Sequence, residues 1–467
     1  YHSVVTAAKV KVIVCGAGRV GFDIARQLSG EGNDVTVIDH DTERLRKVSE
    51  TLDVQTFIGF ASYPDVLERA GTEDADMLIA VTLSDEINMV ACQVAHTLFD
   101  VPTKIARVRH NAYLEPSWQH LFSRDHMPID VIISPEKEVV AAIHRLLEAP
   151  GSIDVIGFAD GKVSLVGMRL NQECPILNTP LRQLTELFPD LNITIVYIVR
   201  DETPIFPREM DQLLLNDEVY FVVDSQHLSR ARSVFGHEER TAERVVIIGG
   251  GNIGFQLALA LEEREPAVNV KLIEANKERA ELIADQLRKT IVIAGDALES
   301  EILEEASVPS AETVIAVSDD DEVNILASVL AKKHGCARAV SLINETTYAP
   351  LISPLGIDSA ISPRDITVSR ILEHVRRGRI HSVHTLQGGE AEVIEADAIE
   401  SAAVVGVPLK DARLPNGVLV GAIVRNGTVI IPRGETEIAK GDRLIIFSPH
   451  STIRKVEKLL SVAFGYF

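Results

Sequence analysis

Apolar residues alternate between two patterns along this chain. Short apolar runs such as Val12–Cys15 have the length and composition of buried parallel strands. Other stretches space their apolar residues three and four apart, as on one face of a helix: Ile87, Val90, Ala91, Val94, Ala95 and Leu98. Alternating strands and helices predict a Rossmann-type, doubly wound parallel sheet.

The same pattern then occurs a second time. Lys11–Gly21 (KVIVCGAGRVG) is echoed by Arg244–Gly254 (RVVIIGGGNIG), and Asp76–Asn88 is echoed by Glu312–Asn324. Order and spacing are both kept, which chance similarity does not explain. The chain is therefore predicted to contain two nucleotide-binding lobes of one design.

The repeat continues into smaller units. Four residues recur at a constant offset: Arg200, Pro207, Arg208 and Asp217 become Arg425, Pro432, Arg433 and Asp442. Asn426-Gly427 predicts a hairpin turn, because both residues tolerate positive φ. The predicted fold class is α/β, with two Rossmann-type lobes, each followed by a small α+β C-terminal lobe, in tandem duplication. The expected ranges are an N-terminal extension over 1–10, Rossmann-type lobes over 11–135 and 243–365, and small lobes over 150–236 and 380–463.

Composition narrows the function classes. The 467 residues carry a net charge of -22, which argues against nucleic acid as the main partner because phosphate binding needs a basic face. Four cysteines lie far apart, a pattern that predicts neither a disulfide framework nor a zinc site and is typical of a reducing cytosol. The absence of an apolar run of about 18 residues predicts no membrane-spanning helix.

The first glycine-rich motif carries the candidate chemistry. It reads Gly16, Ala17, Gly18, Arg19, Val20 and Gly21, and it follows a strand and opens a helix. Gly16 permits a tight turn, Gly18 lets the backbone approach a phosphate, and Gly21 lets the helix pack closely. Asp39 ends the second strand, where an acid accepts hydrogen bonds from the ribose hydroxyls and disfavours a 2′-phosphate. The alternative is a glycine turn beside an incidental surface acid.

The second copy keeps these features in Gly249, Gly250, Gly251, Asn252, Ile253, Gly254 and Glu274. An acid at this position does not separate NAD from ATP or ADP, because all three share an adenosine ribose and a phosphate. The cofactor prediction is therefore NAD(H), with ATP or ADP as an alternative or additional ligand.

Further candidates follow later strands, at the carboxyl edge that lines the ligand crevice. Thr82 and Leu83 follow the fourth strand, and Ser318 matches Thr82 in the second copy. Arg107, at the end of the fifth strand, is expected to reach the phosphates or else to form a surface ion pair. By the spacing of the repeat its counterpart is Ile343, so the second site lacks this arginine.

Two charged segments have simpler interpretations. Ser318–Glu322 (SDDDE) is typical of a helix cap and an acidic first turn, which is favoured over a cation site. Arg370–His384 is locally basic and lies at a predicted domain join near Gly378. It is interpreted as a solvated linker at a helix end, with a docking role as the alternative.

In these motifs, and over nearly the whole chain from about Val10, the sequence resembles the regulatory subunits of bacterial Trk potassium-uptake systems. Each half is similar to a regulator-of-potassium-conductance (RCK) unit. The resemblance rests on these segments beyond the glycine motif and Asp39: Asp74–Thr82, Asp85–Asn88, Cys92–Ala95, Ile105–Arg109 and His374–Arg377.

The resemblance implies nucleotide contacts at Gly16 to Val20, Asp39, Thr82, Leu83 and Arg107, and at Gly249 to Ile253 and Glu274. It also implies a potassium-translocating membrane subunit as partner, a homotetrameric ring, and a peripheral location on the cytoplasmic face of the inner membrane.

Two rival functions stay open at this point. An NAD-dependent oxidoreductase needs an acid or base poised by the nicotinamide, and the small lobes carry no His or Lys constellation that recurs in both copies. The chain is therefore expected not to be an enzyme. A nucleotide sensor without a membrane partner is the second rival.

Overall fold

The computed structural model describes residues 9–188, 191–265, 267–375, 380–386, 389–399, 402 and 404–460. Most of the expected N-terminal extension, and Gly378 at the expected join, lie outside the described residues. Within these residues, four sheets, two parallel and two antiparallel, alternate along the chain.

The first sheet has six parallel strands in the order β3-β2-β1-β4-β5-β6. Its strands are β1 (Lys11–Cys15), β2 (Asp34–Asp39), β3 (Gln55–Ile58), β4 (Met77–Ala80), β5 (Thr103–Arg107) and β6 (Val131–Ile133). The helices are α1 (Arg19–Gly30), α2 (Thr42–Thr51), α3 (Pro64–Arg69) and α4 (Asp85–Phe99), and α5 (Pro135–Glu148) follows the last strand. This is the strand order of a dinucleotide-binding fold, whose ligand crevice lies where the order reverses between β1 and β4.

The second sheet is antiparallel, in the order β10-β9-β11-β8-β7. Its elements are β7 (Ser152–Phe158), β8 (Val163–Arg169), α6 (Leu181–Leu187), β9 (Ile193–Arg200), β10 (Thr203–Ile205), β11 (Glu218–Asp224) and α7 (Leu228–Val234).

The third sheet repeats the first, in the order β14-β13-β12-β15-β16-β17. Its strands are β12 (Arg244–Ile248), β13 (Asn269–Glu274), β14 (Ile291–Ala294), β15 (Thr313–Ala316), β16 (Arg338–Leu342) and β17 (Ser359–Ile361). Its helices are α8 (Asn252–Arg264), α9 (Lys277–Ala284), α10 (Ser300–Glu305), α11 (Asp321–Lys333) and α12 (Ala349–Ile352), and α13 (Pro363–Val375) follows.

The fourth sheet repeats the second, in the order β18-β19-β22-β20-β21. Its elements are β18 (Ile380–Leu386), β19 (Ala391–Asp397), β20 (Leu419–Arg425), β21 (Thr428–Ile430), β22 (Arg443–Pro449) and α14 (Ile453–Leu460). Asn426 and Gly427 turn between β20 and β21 with φ of 51° and 80°, so the hairpin prediction is confirmed. The tandem fold class is likewise confirmed by the four sheets.

The chain forms two compact units, and the helix that follows each parallel sheet belongs to the other unit. One unit holds the first sheet together with residues 364–375, and the other holds residues from 136 to 363 and from 380 onward. In the first unit, Val368, Ile371 and Leu372 of α13 join the core that includes Val14 and Ile24. The solvated-linker interpretation of Arg370–His384 is therefore wrong for the helical part, because its apolar face is buried against the first sheet.

In the second unit, α5 packs beside the third sheet. Arg338, at the start of β16, donates Nη1 to the Leu146 carbonyl at 3.0 Å and also bonds the Ser152 carbonyl. Burial lowers the pKa of Arg338 to about 10, so the guanidinium is still charged at neutral pH. A buried cation thus satisfies one carbonyl in the last turn of α5, which a helix terminus otherwise leaves without a partner, and one carbonyl at the start of β7.

The two small antiparallel sheets share one apolar core. Leu165, Tyr197 and Val222 of the second sheet cluster with Val393 and Phe447 of the fourth. The centroids of the Tyr197 and Phe447 rings lie 5.5 Å apart. The small lobes therefore bury apolar faces against each other, which explains how units of this size are stabilised.

The arginine–aspartate pair that the repeat pointed to is a bidentate ion pair in each small lobe. Arg425 donates Nε and Nη2 to the two carboxylate oxygens of Asp442 at 2.8 and 2.7 Å. Asp442 is 1% exposed and also accepts the Ala439 amide at 2.7 Å. Arg200 and Asp217 make the same two contacts at 2.8 Å each. The repeated residues thus fix the turn before the last strand of each sheet.

We expect Asp442→Asn to lower the free energy of unfolding by about 1–3 kcal/mol at neutral pH, because a charged buried hydrogen-bond acceptor is lost. Burial raises the pKa of Asp442, but the bonds from Arg425 and the Ala439 amide outweigh it, so the pKa is lowered. The pair therefore stabilises the fold above the ordinary aspartate pKa, and this contribution is lost as pH falls through the lowered folded-state value.

Urea unfolding from pH 7 to pH 2 measures this effect. The difference in the free energy of unfolding between wild type and Asp442→Asn should disappear as the pH approaches 2. Glu435→Gln is the matched control, since its pair with Lys410 is exposed and should contribute little. A difference in the free energy of unfolding that is the same at every pH would contradict a role for the ionised Asp442 carboxylate.

Candidate functional site

The glycine loop after β1 is built by close backbone approaches. Gly16 has φ of +110° and donates its amide to the Ile38 carbonyl at 2.8 Å. A Cβ on Gly16 would lie 3.1 Å from the backbone of Val81 and Thr82, and a Cβ on Gly21 would lie 1.8 Å from the Gly16 carbonyl oxygen. Both positions therefore require glycine for the loop to form.

Gly18 differs from the other two glycines. It precedes α1 with φ of -68°, and nothing lies within 4 Å of where its Cβ would be. The first turn of α1, with Arg19 and Val20, has no side-chain cap and no acidic residue. The helix N-terminus at Gly18 thus opens onto free space, an arrangement suited to a phosphate.

The Asp39 carboxylate lies beside this loop. It is 7% exposed, and Oδ2 accepts the Ala17 amide at 2.6 Å while Oδ1 accepts the Asp41 amide at 2.8 Å. An ionised carboxylate accepts about four hydrogen bonds. The two backbone bonds hold the loop and leave acceptor capacity for the hydroxyls of a ribose.

Asn88 organises the other side of the crevice, and sequence reasoning did not single it out. Its Oδ1 accepts the Thr82 amide at 2.8 Å and the Thr82 hydroxyl at 2.7 Å, while its Nδ2 donates to the Arg107 carbonyl at 2.9 Å. Arg107 in turn donates Nη2 to the Thr82 carbonyl at 2.8 Å. Leu83, next in the chain, is 73% exposed. The repeated Asp85–Asn88 motif was the available signal for this role.

The second copy has the same architecture. Gly249 has φ of +102°, Gly251 has an open Cβ position, and a Cβ on Gly254 would lie 1.8 Å from the Gly249 carbonyl oxygen. Glu274 accepts the Gly250 amide at 2.6 Å and the Asn276 amide at 2.7 Å. Asn252 and Ile253 begin α8. Two loop-and-acid arrangements of one geometry therefore exist in the chain.

The counterpart of Arg107 is Leu342, and the expectation of Ile343 is wrong by one residue. Asn324 bonds Ser318 as Asn88 bonds Thr82, and its Nδ2 donates to the Leu342 carbonyl at 3.1 Å. The residue offset between the two copies changes along the chain. A constant offset therefore does not identify which residues occupy the same position in the two strands. The second site still lacks this arginine, because Leu342 is a buried apolar residue.

The acidic segment after β15 caps a helix. Asp320 is the N-cap of α11 and accepts the Val323 amide at 2.9 Å, while Asp321 accepts the Asn344 and Glu345 amides. The helix-cap interpretation is confirmed by these bonds.

The structure also bears on the predictions about the cysteines and about membrane-spanning helices. Cys15, Cys92, Cys174 and Cys336 are all free and buried. In the described part of the chain, no helix is both long enough and apolar enough to cross a membrane.

Domain families match both halves of the chain. The TrkA-N domain matches residues 12–135 and 245–363, and the TrkA-C domain matches residues 165–236 and 393–461. These matches fall on the two parallel and the two antiparallel sheets.

Whole-length relatives carry one name. A Trk system potassium uptake protein TrkA from Azorhizobium caulinodans is 49% identical over 458 residues, which cover 98% of this chain and 100% of the relative. Another from Halomonas elongata is 43% identical over 462 residues, with coverage of 98% and 100%. Both are named as potassium uptake proteins and neither as an enzyme, in agreement with the expected non-enzymatic class.

Solved structures share the fold at low identity. A crystal structure of the GsuK RCK domain aligns with a TM-score of 0.58 and 18% identity, covering 97% of this chain and 95% of that one. The GsuK channel bound to NAD aligns with a TM-score of 0.59 and 18% identity, with coverage of 97% and 79%. By its paired domains and its full-length relatives, the chain belongs to the TrkA family of Trk system potassium uptake proteins.

Proposed function

We propose that this chain is a regulatory subunit that binds adenine nucleotides and gates a potassium-translocating membrane subunit of a Trk system. The observation that carries the proposal is the pair of glycine loops, each opening a helix N-terminus beside a carboxylate, in a chain of the TrkA family. With two such sites on one chain, nucleotide binding at either site can shift the equilibrium between conformations of the subunit.

The ligand chemistry follows from the groups at the first site. The open α1 N-terminus favours a phosphate, the Asp39 carboxylate accepts ribose hydroxyls, and Arg107 adds a cation at the crevice edge. NAD(H), ATP and ADP all carry these features. The NAD-bound channel with this fold supports NAD(H) as the first ligand to test, with ATP and ADP beside it.

Gating requires a ligand that binds one conformation better than the other. Moving a gate from mostly closed to mostly open takes about 5.5 kcal/mol, whereas one site commonly couples about 1–3 kcal/mol. A homotetrameric ring with two sites per chain, on the cytoplasmic face of the inner membrane, has enough sites to share that energy.

Gly18→Val should abolish nucleotide binding at the first site while leaving the fold intact. Its φ of -68° suits any residue, and the added side chain would occupy the space before α1. Gly21→Ala is the matched comparison, because its methyl group would collide with the Gly16 carbonyl and destabilise the loop. Calorimetry with NADH and ATP measures binding, and thermal unfolding measures stability. Normal binding by Gly18→Val would remove this loop from the site.

Asp39→Ala should weaken binding of ATP and NADH at the first site by about 1–3 kcal/mol, through loss of charged hydrogen bonds. Because Asp39 also supports the Ala17 amide, a 2′,3′-dideoxy nucleotide separates the two roles. The dideoxy ligand should bind wild type more weakly than ATP does, but the variant should bind both alike. Asp34→Ala, at the opposite end of β2, is the control. Equal loss of hydroxyl discrimination in both variants would contradict a ribose contact.

The gating proposal is tested with the membrane subunit of the same Trk system in liposomes. Potassium flux should respond to nucleotide, and Gly18→Val and Gly251→Val should each remove part of the response. An unchanged response in either single variant would contradict shared coupling. If no membrane subunit co-purifies after native extraction, a nucleotide sensor without a membrane partner replaces the proposal.

A further inference from the structure

Two helices of the second compact unit end beside one histidine, and each brings a carboxylate to it. His144 and Glu148 stand four residues apart on α5, and Glu265 is the C-cap of α8. His144 Nδ1 lies 3.6 Å from a Glu148 oxygen, and Nε2 lies 3.6 Å from a Glu265 oxygen. All three residues belong to the same compact unit. They are called the histidine–glutamate cluster below.

The spacing within the cluster fits metal ligands better than hydrogen bonds. A nitrogen and an oxygen that are 3.6 Å apart are too distant for a hydrogen bond. Two ligands of a tetrahedral zinc ion, each about 2.1 Å from the metal, lie about 3.4 Å from each other. One nitrogen of His144 and one oxygen of each glutamate lie within 4.8 Å of one another. Small side-chain rotations therefore bring all three to one ion.

The imidazole of His144 is the most buried member of the cluster. Its side chain is 13% exposed, whereas those of Glu148 and Glu265 are 60% and 45% exposed. Nε2 is shielded from water and has no hydrogen-bond partner among the described residues. Buried polar atoms are nearly always partnered by protein, water or an ion. A metal ion at the cluster supplies the missing partner, and the exposed carboxylates leave a path for the ion to enter.

The two helix ends also favour a cation at this place. A helix C-terminus is equivalent to a negative charge of about half an elementary charge. Glu148 is the last residue of α5 and Glu265 caps α8, so two helix ends add to two carboxylates. Of the arginines next to the cluster, Arg145 donates Nε to the Val155 carbonyl at 2.9 Å, and Arg264 is exposed. The net charge of the surroundings thus stabilises a cation bound between the helix ends.

We propose that the histidine–glutamate cluster binds one zinc ion, with water as the fourth ligand. The donor set selects the metal, because an imidazole nitrogen suits Zn²⁺ whereas Mg²⁺ and Ca²⁺ prefer oxygen ligands. The ion ties the end of α5 to the end of α8. This site is independent of the proposed nucleotide function, since the second glycine loop lies at the opposite end of α8.

The first copy of the repeat lacks the histidine. A proline opens the helix that follows each parallel sheet, and this alignment makes Leu372 the counterpart of His144. Leu372 is fully buried in the apolar core of the first unit. An acid is kept, since Glu31 caps α1 as Glu265 caps α8. At the equivalent position the first copy therefore has no zinc site.

The test is calorimetric titration of Zn²⁺ into the full-length chain, freed of metal by a chelator and carrying no affinity tag. His144→Leu, which copies the first half, should remove one bound zinc ion per chain. Glu148→Gln should weaken binding by about 10–100-fold or more, since even outer-shell partners of metal ligands contribute that much. His334→Leu and Glu263→Gln are the matched controls, because they lie in the same lobe but outside the cluster.

Cobalt spectroscopy identifies the ligands directly. Co²⁺ in place of Zn²⁺ should give visible absorption bands that His144→Leu lacks. His144→Cys should restore binding and add a thiolate-to-cobalt charge-transfer band, because a thiolate is also a ligand for these metals. This rescue separates loss of a ligand from loss of the fold, which circular dichroism monitors in each variant.

Thermal unfolding gives a readout that needs no spectroscopic metal. Zn²⁺ should raise the unfolding temperature of wild type as its concentration rises, because it binds the folded state, and His144→Leu should lose this effect. Loss of one zinc ion in His144→Leu with rescue by His144→Cys supports the site. No saturable binding at millimolar Zn²⁺, or equal binding by wild type, His144→Leu and Glu148→Gln, would overturn the proposal and leave the cluster as ion-paired side chains.

Discussion

Both candidate sites depend on one steric constraint, the contact between the third glycine and the carbonyl of the first. A Cβ at Gly21 or Gly254 would lie 1.8 Å from that oxygen, far inside any allowed contact. Only glycine lets the helix begin so close to the strand it follows. The N-terminus of α1 or α8 is thereby held at the carboxyl edge of the sheet, next to the acid that ends β2 or β13. The carboxylate then locks the loop by accepting its amide, at 2.6 Å in both copies.

The two copies share this backbone constraint but differ in some of the side chains around it. The loops, the acid and the asparagine that bonds Thr82 or Ser318 agree closely between copies. Other side chains beside the loop differ, since Arg107 and Leu83 in the first copy correspond to Leu342 and Asp319 in the second. The loop is held by backbone atoms and one acid, so the other side chains around it can change without altering its geometry.

The helix exchange has a different physical origin. Each parallel sheet needs both faces covered, and α13 rather than α5 supplies apolar residues to the core of the first sheet. The chain is therefore not a row of independent lobes. Burial of Ile371 and Leu372 binds the end of the third sheet's sequence to the first sheet, and the guanidinium of Arg338 ties α5 into the second unit.

The sequence by itself determined the strand–helix alternation, the tandem repeat, the glycine loops and the acids that follow β2 and β13. These are local features, because they rest on apolar periodicity, on glycine's φ range and on spacing within one β-α-β unit. Tertiary structure decided what depends on strand register and on partners far along the chain. It made Leu342 the counterpart of Arg107, gave Asn88 its role, and buried the apolar face of α13, the helix in which the basic segment begins. It also brought His144 of α5 next to Glu265 of α8, since only tertiary packing makes the ends of two helices neighbours.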